Sequence, residues 1–159
     1  MKVVHTIEAL GGGVYTYFED LTHHFEKEDI RQKVPTSILY SDNRKEIDPQ
    51  KVAQLFSTIP TVKVSMEREI NPILDFKAIQ SLVRELKKIK PDVVHLHSSK
   101  AGVLGRIACC FVSPKPLVFY TPHGYAFQRT DISPISKKMY WFIEKYFQKI
   151  FGGITIACG

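Results

Sequence analysis

Pro-Asp-Val-Val-His-Leu-His-Ser-Ser-Lys-Ala-Gly-Val-Leu-Gly-Arg-Ile-Ala (Pro91–Ala108), followed shortly by Leu-Val-Phe-Tyr-Thr-Pro-His-Gly (Leu117–Gly124), decides the fold. Val93–His97 and Leu117–Thr121 are short apolar runs of the kind that form strands buried on both faces. The segment between them, Lys100–Phe111, reads as a helix, with Ala101, Gly102, Gly105 and Ala108 small enough to let it approach a sheet closely. Each strand ends in polar residues that a core does not need: His97-Ser98-Ser99-Lys100 after the first and Pro122-His123-Gly124 after the second. In an open parallel sheet the carboxyl ends of neighbouring strands line the ligand crevice. Imidazoles, hydroxyls and an ammonium gathered there point to a sugar or a phosphate.

Working outward, the same alternation recurs. Lys2–Ile7 is strand-like and runs into the tight turn Leu10-Gly11-Gly12-Gly13, and Val14–Glu26 has helical apolar spacing. Gln32–Tyr40 reads as a second strand, Pro49–Phe56 as a short helix and Thr61–Met66 as a third strand. Asp75 can cap a helix over Phe76–Ile89, whose Ile79, Leu82, Val83 and Leu86 form one stripe. Past Gly124 a long loop leads to Pro134, a good first helical residue, and Gly152-Gly153 stops that helix before a sixth strand at Ile154–Ala157. Strands alternating with helices predict an α/β, doubly wound parallel sheet in the order 3-2-1-4-5-6, with its crevice between the first and fourth strands.

Size and composition bound the function. A chain of 159 residues, 44% hydrophobic and 24% charged, is expected to form a single domain over 1–159. No apolar run is long enough to span a membrane, and the N-terminus enters a strand without a signal-peptide pattern. The three cysteines, Cys109, Cys110 and Cys158, match no zinc spacing and read as thiols of a reducing cytoplasm. The net charge of +6 suits anionic partners. The basic residues are not interleaved with aromatics on a strand, so a nucleic-acid platform is not expected. Lys137–Phe151 mixes four lysines with Met139, Tyr140, Trp141, Phe142, Tyr146 and Phe147; it fits either a core helix with a wet edge or peripheral contact with anionic lipid.

Several residues are candidates for a site, each with a purely structural alternative. The glycine turn opens a helix whose N-terminal amides suit phosphate, but it fails the dinucleotide fingerprint, because Thr16 stands where the third glycine belongs. It can equally be a turn and nothing more. His95 and His97 face the same side of a strand. Their spacing can hold a metal, but with no second ligand cluster readable no metal is expected. His97 is read as facing the crevice with Ser98, and His95 as a core histidine bonded to backbone. Lys100 can meet a phosphate or carboxylate, while Arg106 reads as a solvated face or a salt bridge. His123, freed by the turn at Gly124, can bond a sugar hydroxyl, act as acid or base, or brace its loop.

Taken in order, Gly11–Gly13, Pro91–His97, Ser99–Gly102 and Thr121–Tyr125 resemble the N-terminal domain of GT-B glycosyltransferases, specifically retaining family 4, along the whole chain. His-Ser-Ser-Lys-Ala-Gly with Thr-Pro-His-Gly-Tyr is most similar to bacterial enzymes of capsule, exopolysaccharide or O-antigen synthesis. The resemblance implies an acceptor-side domain that works with a C-terminal nucleotide-sugar domain absent from these 159 residues. It implies a nucleotide-sugar donor, a UDP-sugar above all, no metal, and a glycan or lipid-linked acceptor. It puts Gly12 and Gly13 near the donor phosphates, and His123, as catalytic residue, near the transferred sugar. His97, Ser98, Lys100 and Gly124 would line the acceptor side. Work on lipid-linked acceptors would place the protein in the cytoplasm, in peripheral contact with the inner membrane. The isolated domain is expected to be inactive. A different reading, a non-catalytic binding subunit of a two-chain glycosyltransferase, stays open on these residues.

Overall fold

The tripeptide Val-Val-His occurs twice, at 3–5 and 93–95, and the two copies lie side by side. β1 (Val3–Ile7) and β4 (Val93–His97) are parallel neighbours with Val3 opposite Val93 and His5 opposite His95. Both strands are buried at every position, as expected for the centre of a sheet covered on both faces. A computed structural model describes residues 1–25, 27–44 and 47–157. In it β2 (Thr36–Tyr40) and β3 (Thr61–Lys63) extend the sheet beyond β1, and β5 (Leu117–Thr121) and β6 (Ile154–Thr155) extend it beyond β4. All pairings are parallel and the order is β3-β2-β1-β4-β5-β6, as predicted.

Helices cover the two faces. On one side α1 (Gly13–Phe25) and α3 (Pro49–Leu55) enclose Ile7, Leu10, Phe18, Ile38 and Phe56. On the other, α4 (Pro72–Ile89) and α5 (Ser99–Cys109) enclose Val4, Leu82, Leu86, Val94, Leu96 and Tyr120. The small residues of α5 are required there. A Cβ on Gly102 would come within 2.5 Å of the Tyr120 ring, and one on Gly105 would collide with Leu96. α6 (Pro134–Phe151) packs beside α5 and ends at Gly152, which has φ of 69°.

Some boundaries, and the burial of one side chain, differ from expectation. Glu28–Lys33 is a short helix, α2, instead of the start of β2: its acidic first turn and basic last turn favour a helix, and the strand begins only after Pro35. Helix α4 starts a turn early, because Asn71 accepts from the Leu74 N–H and Pro72 sits at its first position, a stronger start than Asp75. Asp75, now in the first turn, accepts from the Asn71 N–H and makes a further contact described below. β3 stops at Lys63, although Val64 and Met66 beyond it remain buried. Arg106, read as a surface residue, is 2% exposed: its guanidinium lies 4.2 Å from the Tyr120 ring centroid and bonds Gln148 and the Gly152 carbonyl, tying α5 to α6. Cys158 lies outside the described residues.

Candidate functional site

The carboxyl ends of β1, β4 and β5 open onto a cavity of about 400 Å³. Glu8, immediately after β1, is 1% exposed and receives two bonds from Arg44, at 2.9 Å each, and one from the Ser98 hydroxyl at 3.2 Å. Ser98 caps α5 by accepting from the Ala101 N–H and holds φ at 89°, a turn that brings its hydroxyl to Glu8. Lys100 lies in the first turn of α5 and donates to both carboxylate oxygens of Asp75, at 2.9 and 3.0 Å, and to the Glu69 carbonyl at 2.8 Å. Arg129 bonds Asp131 and Glu69 on the rim. That pairing holds the Asp131 carboxyl down at about 2 and the guanidinium above its ordinary range. From α6, Glu144 accepts from the Tyr120 hydroxyl at 2.8 Å, and Ile143 and Phe147 add an apolar wall. The cavity therefore offers hydroxyls, amides, carboxylates and cations already matched to carboxylates.

Of the residues singled out from sequence, Ser98, Lys100, His123 and Gly124 line this one cavity. The two loop residues reach it through left-handed backbone, φ 53° at His123 and 128° at Gly124. Gly11 is the glycine that faces the cavity. Gly12 lines a separate recess with Leu10, Tyr15, Asp48 and Lys51, and Gly13 is the exposed first residue of α1. His97 does not face the crevice. It is fully buried, one layer beneath His123, because alternation along β4 sends it to the same covered face as His95. Of the two anions its position suits, phosphate or carboxylate, Lys100 meets a carboxylate, that of Asp75.

Beneath the cavity floor the histidines form a chain. His5 Nδ1 lies 2.9 Å from His97 Nε2, and His97 Nδ1 lies 2.9 Å from His123 Nε2. His95 stands beside them, bonded through Nε2 to the Thr121 hydroxyl at 2.8 Å, a side-chain partner where a backbone one was expected. Phe18 meets His5 and His97 edge-on, and Tyr17 meets His123. Burial, reinforced by neighbouring imidazoles, lowers His5 to about 3 and His95 to about 4 and puts His97 well below its usual value; burial also lowers His123. All four are neutral at pH 7. Ring nitrogens of His5, His95 and His97 lie within 4.8 Å of one another, close enough to share a metal. However, both nitrogens of His97 and one of His5 are already engaged in the chain.

His5 and Glu8 were not found from sequence. One signal was available for His5: in the predicted order, β1 and β4 are neighbours, and matching Val-Val-His tripeptides place a third imidazole against the pair in β4. Glu8 carried no local signal, since its partners Arg44 and Ser98 are remote in sequence.

A family model described as Glycosyltransferase Family 4 matches residues 11–156, nearly the whole chain. The chain belongs to glycosyltransferase family 4. This family 4 chain is 44% identical, over 82 residues, to the UDP-Gal:alpha-D-GlcNAc-diphosphoundecaprenol alpha-1,3-galactosyltransferase of Escherichia coli, across 52% of this chain and 21% of that protein. It is 28% identical over 152 residues to an uncharacterized 41.2 kDa protein in the cps region of Klebsiella pneumoniae, across 94% of this chain and 38% of that one. It thus spans less than half the length of these curated relatives. Among solved structures it superposes on the lipopolysaccharide outer core galactosyltransferase WaaB in its apo form (TM-score 0.63, 16% identity, 88% of this chain and 37% of that one). It also superposes on Anabaena HepE in complex with UDP and glucose (TM-score 0.59, 13% identity, 99% and 43%). The UDP-GlcNAc 2-epimerase from Neisseria meningitidis bound to UDP-GlcNAc shares the fold as well (TM-score 0.57, 15% identity, 92% and 38%). At these identities the likeness is one of fold, common to transferases and epimerases. The family 4 match, with the sheet order, makes this domain the N-terminal half of a GT-B architecture, in a family that uses nucleotide-sugar donors.

Proposed function

We propose that the cavity at the ends of β1, β4 and β5 is the acceptor half of a sugar-transfer site in bacterial surface-polysaccharide synthesis. The observation that carries this reading is its lining: His123, Ser98, Glu8 and Lys100 offer donors and acceptors in a space of about 400 Å³, with Ile143 and Phe147 as an apolar wall. Such a mixture fits a sugar, which presents hydroxyls and a hydrophobic face. Because Arg44, Lys100 and Arg129 are already matched to carboxylates, the cavity suits a hydroxyl-rich acceptor better than a bare diphosphate. The relative that transfers galactose to a GlcNAc-diphosphoundecaprenol supports an N-acetylhexosamine on a lipid diphosphate as acceptor, and a UDP-sugar as donor.

In this reading a second domain supplies most of the nucleotide site, and the chain without it has negligible transferase activity. Retaining transfer passes through an oxocarbenium-like state while charge builds on the leaving diphosphate. In this reading the amides of Gly12 and Gly13, at the N-terminus of α1 and outside the cavity itself, would meet that charge from the donor side, with no metal required. His123 bonds the sugar at the reaction centre, Gly124 lets its loop turn away, and His97 supports His123 from below. α6 carries an exposed apolar stripe at helical spacing, Ile135, Met139, Phe142, Tyr146 and Ile150, flanked by Lys138, Lys145 and Lys149. Among the described residues no helix is long and apolar enough to cross a membrane. The stripe would instead lie along the cytoplasmic face of the membrane and bring the cavity to a lipid-linked acceptor.

The test is a full-length protein assayed with a panel of UDP-sugars and lipid-linked N-acetylglucosamine. His123→Ala should lower kcat/KM by about a hundredfold, the range seen when one transition-state hydrogen-bond donor is removed, and cost no more stability than the about 1–3 kcal/mol of leaving the buried His97 without its partner. A loss of stability beyond that, with activity falling only in step with it, would assign His123 a bracing role and defeat the proposal.

A further inference from the structure

The His5–His97–His123 chain has a direction, and the structure contains what sets it. A neutral imidazole has one N–H and one lone pair. Two arrangements satisfy both contacts. In one, every ring carries its proton on Nδ1: His5 donates to His97, His97 donates to His123, and His123 is left with Nδ1–H. In the other, every ring carries its proton on Nε2, the donors run the opposite way, and His5 is left with Nε2–H.

The two differ at their ends. His5 Nε2 is buried and has no hydrogen-bond partner among the described residues. Phe18 and Phe25, at centroid distances of 5.7 and 5.5 Å, offer the ring no oxygen or nitrogen, and the neighbouring His95 ring, at 5.3 Å, makes no hydrogen bond to this nitrogen. The Nε2 arrangement would leave a bare N–H there, and a buried orphan donor is among the rarest features of folded proteins. The Nδ1 arrangement leaves a lone pair in that place and delivers the N–H to a residue that lines the cavity. Neither His5 nor His97 meets a carboxylate among the described residues, so no His–Asp pair orients the buried part of the chain; its polarity comes from the apolar end. Burial keeps all the rings neutral, so no extra proton scrambles the order.

We propose that His5 and His97 are positioning residues that fix His123 as the Nδ1–H tautomer, so that His123 presents a neutral hydrogen-bond donor, and not a base, to an oxygen of the bound sugar. The polarity of the chain stands on its hydrogen-bond geometry and on the burial that keeps its rings neutral; the identity of the oxygen it meets rests on the sugar-transfer reading above. Through this chain a residue at the third position of β1, in the core, sets the chemistry of a loop side chain at the site.

The experiment is long-range 1H–15N spectroscopy of the protein labelled with 15N-histidine, in which a protonated ring nitrogen and one bearing a lone pair are resolved. Six histidines are few enough to assign by substitution. The expected result at neutral pH is Nδ1–H with unprotonated Nε2 at His5, His97 and His123. His97→Asn, whose amide can donate from the place of Nδ1, should keep His123 on Nδ1–H. His97→Phe should release it to a mixture containing Nε2–H and lower kcat/KM by about tenfold or more, the factor corresponding to one net hydrogen bond. Nε2–H at His123 in the unaltered protein overturns the proposal, and that spectrum decides even if the Phe variant fails to fold. So does a shift of the His5, His95 and His97 nitrogens on adding Zn²⁺ alone, which would make the cluster a metal site. If Nδ1–H is found but neither a UDP-sugar nor N-acetylglucosamine moves the His123 signals, the chain survives and the sugar-site reading falls.

Discussion

The two faces of the central strands are built on opposite plans. Val4, Val94, Leu96 and Tyr120 point to the α5 side, where packing is so close that two helix glycines have no room for a Cβ. His5, His95 and His97, one residue away along the same strands, point to the α1 side and fill it with imidazoles in mutual contact. The first face commits its volume to burial and holds the sheet together. The second gives up apolar burial at three positions, and what it gains is a polar chain that reaches the cavity floor. A buried polar chain that starts in the core and ends at a cavity is poorly explained by stability alone. It makes sense as support for a site.

Acid should separate the two faces most. In the unfolded chain the histidines take up protons near pH 6.5, whereas in the fold His5 resists until about 3 and His95 until about 4. Across that window the unfolded state binds more protons, so stability rises with pH and is lost as pH falls below 6.5. Each such histidine contributes a slope of about 1.4 kcal/mol per pH unit. Chemical denaturation at pH 7, 6, 5 and 4.5 should show a loss of several such increments. His5→Phe should reduce the slope by about one histidine's share. A slope identical in the two proteins would mean that His5 is not held neutral in the core.

The α5 face should respond to volume and ignore pH. Gly105→Ala puts a methyl group into Leu96. Overpacking of this kind costs about 1–3 kcal/mol, read as a lower denaturation midpoint, with the acid slope of the parent protein intact. A neutral outcome would show that Leu96 can move and that the face is less tightly set than its geometry indicates.

How much of this was readable beforehand follows the same division. The sheet was legible because Val93–His97 and Leu117–Thr121 are short, mainly apolar runs set between polar turns, a pattern that buried strands produce. Glycines at 102 and 105 announced a close helix for the same reason. Asp75 alone can cap a helix, but Asn71-Pro72 is the better start; the Asp75 carboxylate then accepts from the Asn71 N–H and pairs with Lys100, so the anion this lysine meets is a carboxylate of its own chain. His97 ends a strand, which suggests the crevice, but side-chain alternation outranks position along the strand and turns it to the covered face with His95. The histidine chain and the Glu8–Arg44–Ser98 group depend on which residues of different strands and loops lie at the same height. That information resides in register and loop geometry, which no single segment encodes.

Tyr120 is where the two plans meet, and it gives the smallest effect. Its ring lies in the packed face, beneath Gly102 and the Arg106 guanidinium, while its hydroxyl bonds Glu144 in the cavity wall. Burial, with the Glu144 carboxylate beside it, raises the phenol above its ordinary value, so the hydroxyl stays a donor throughout the working pH range. Tyr120→Phe keeps the ring and removes that donor. The expected loss is about 1 kcal/mol, the net worth of one hydrogen bond, because Glu144 lies at the edge of the cavity where water can replace the phenol. The acid slope should not change, since no histidine loses a partner. If the variant weakens acceptor binding while stability barely moves, the packed face reaches the site through this hydroxyl. If stability falls by several kcal/mol instead, Glu144 is a buried charge that depends on Tyr120, and the cavity wall belongs to the core.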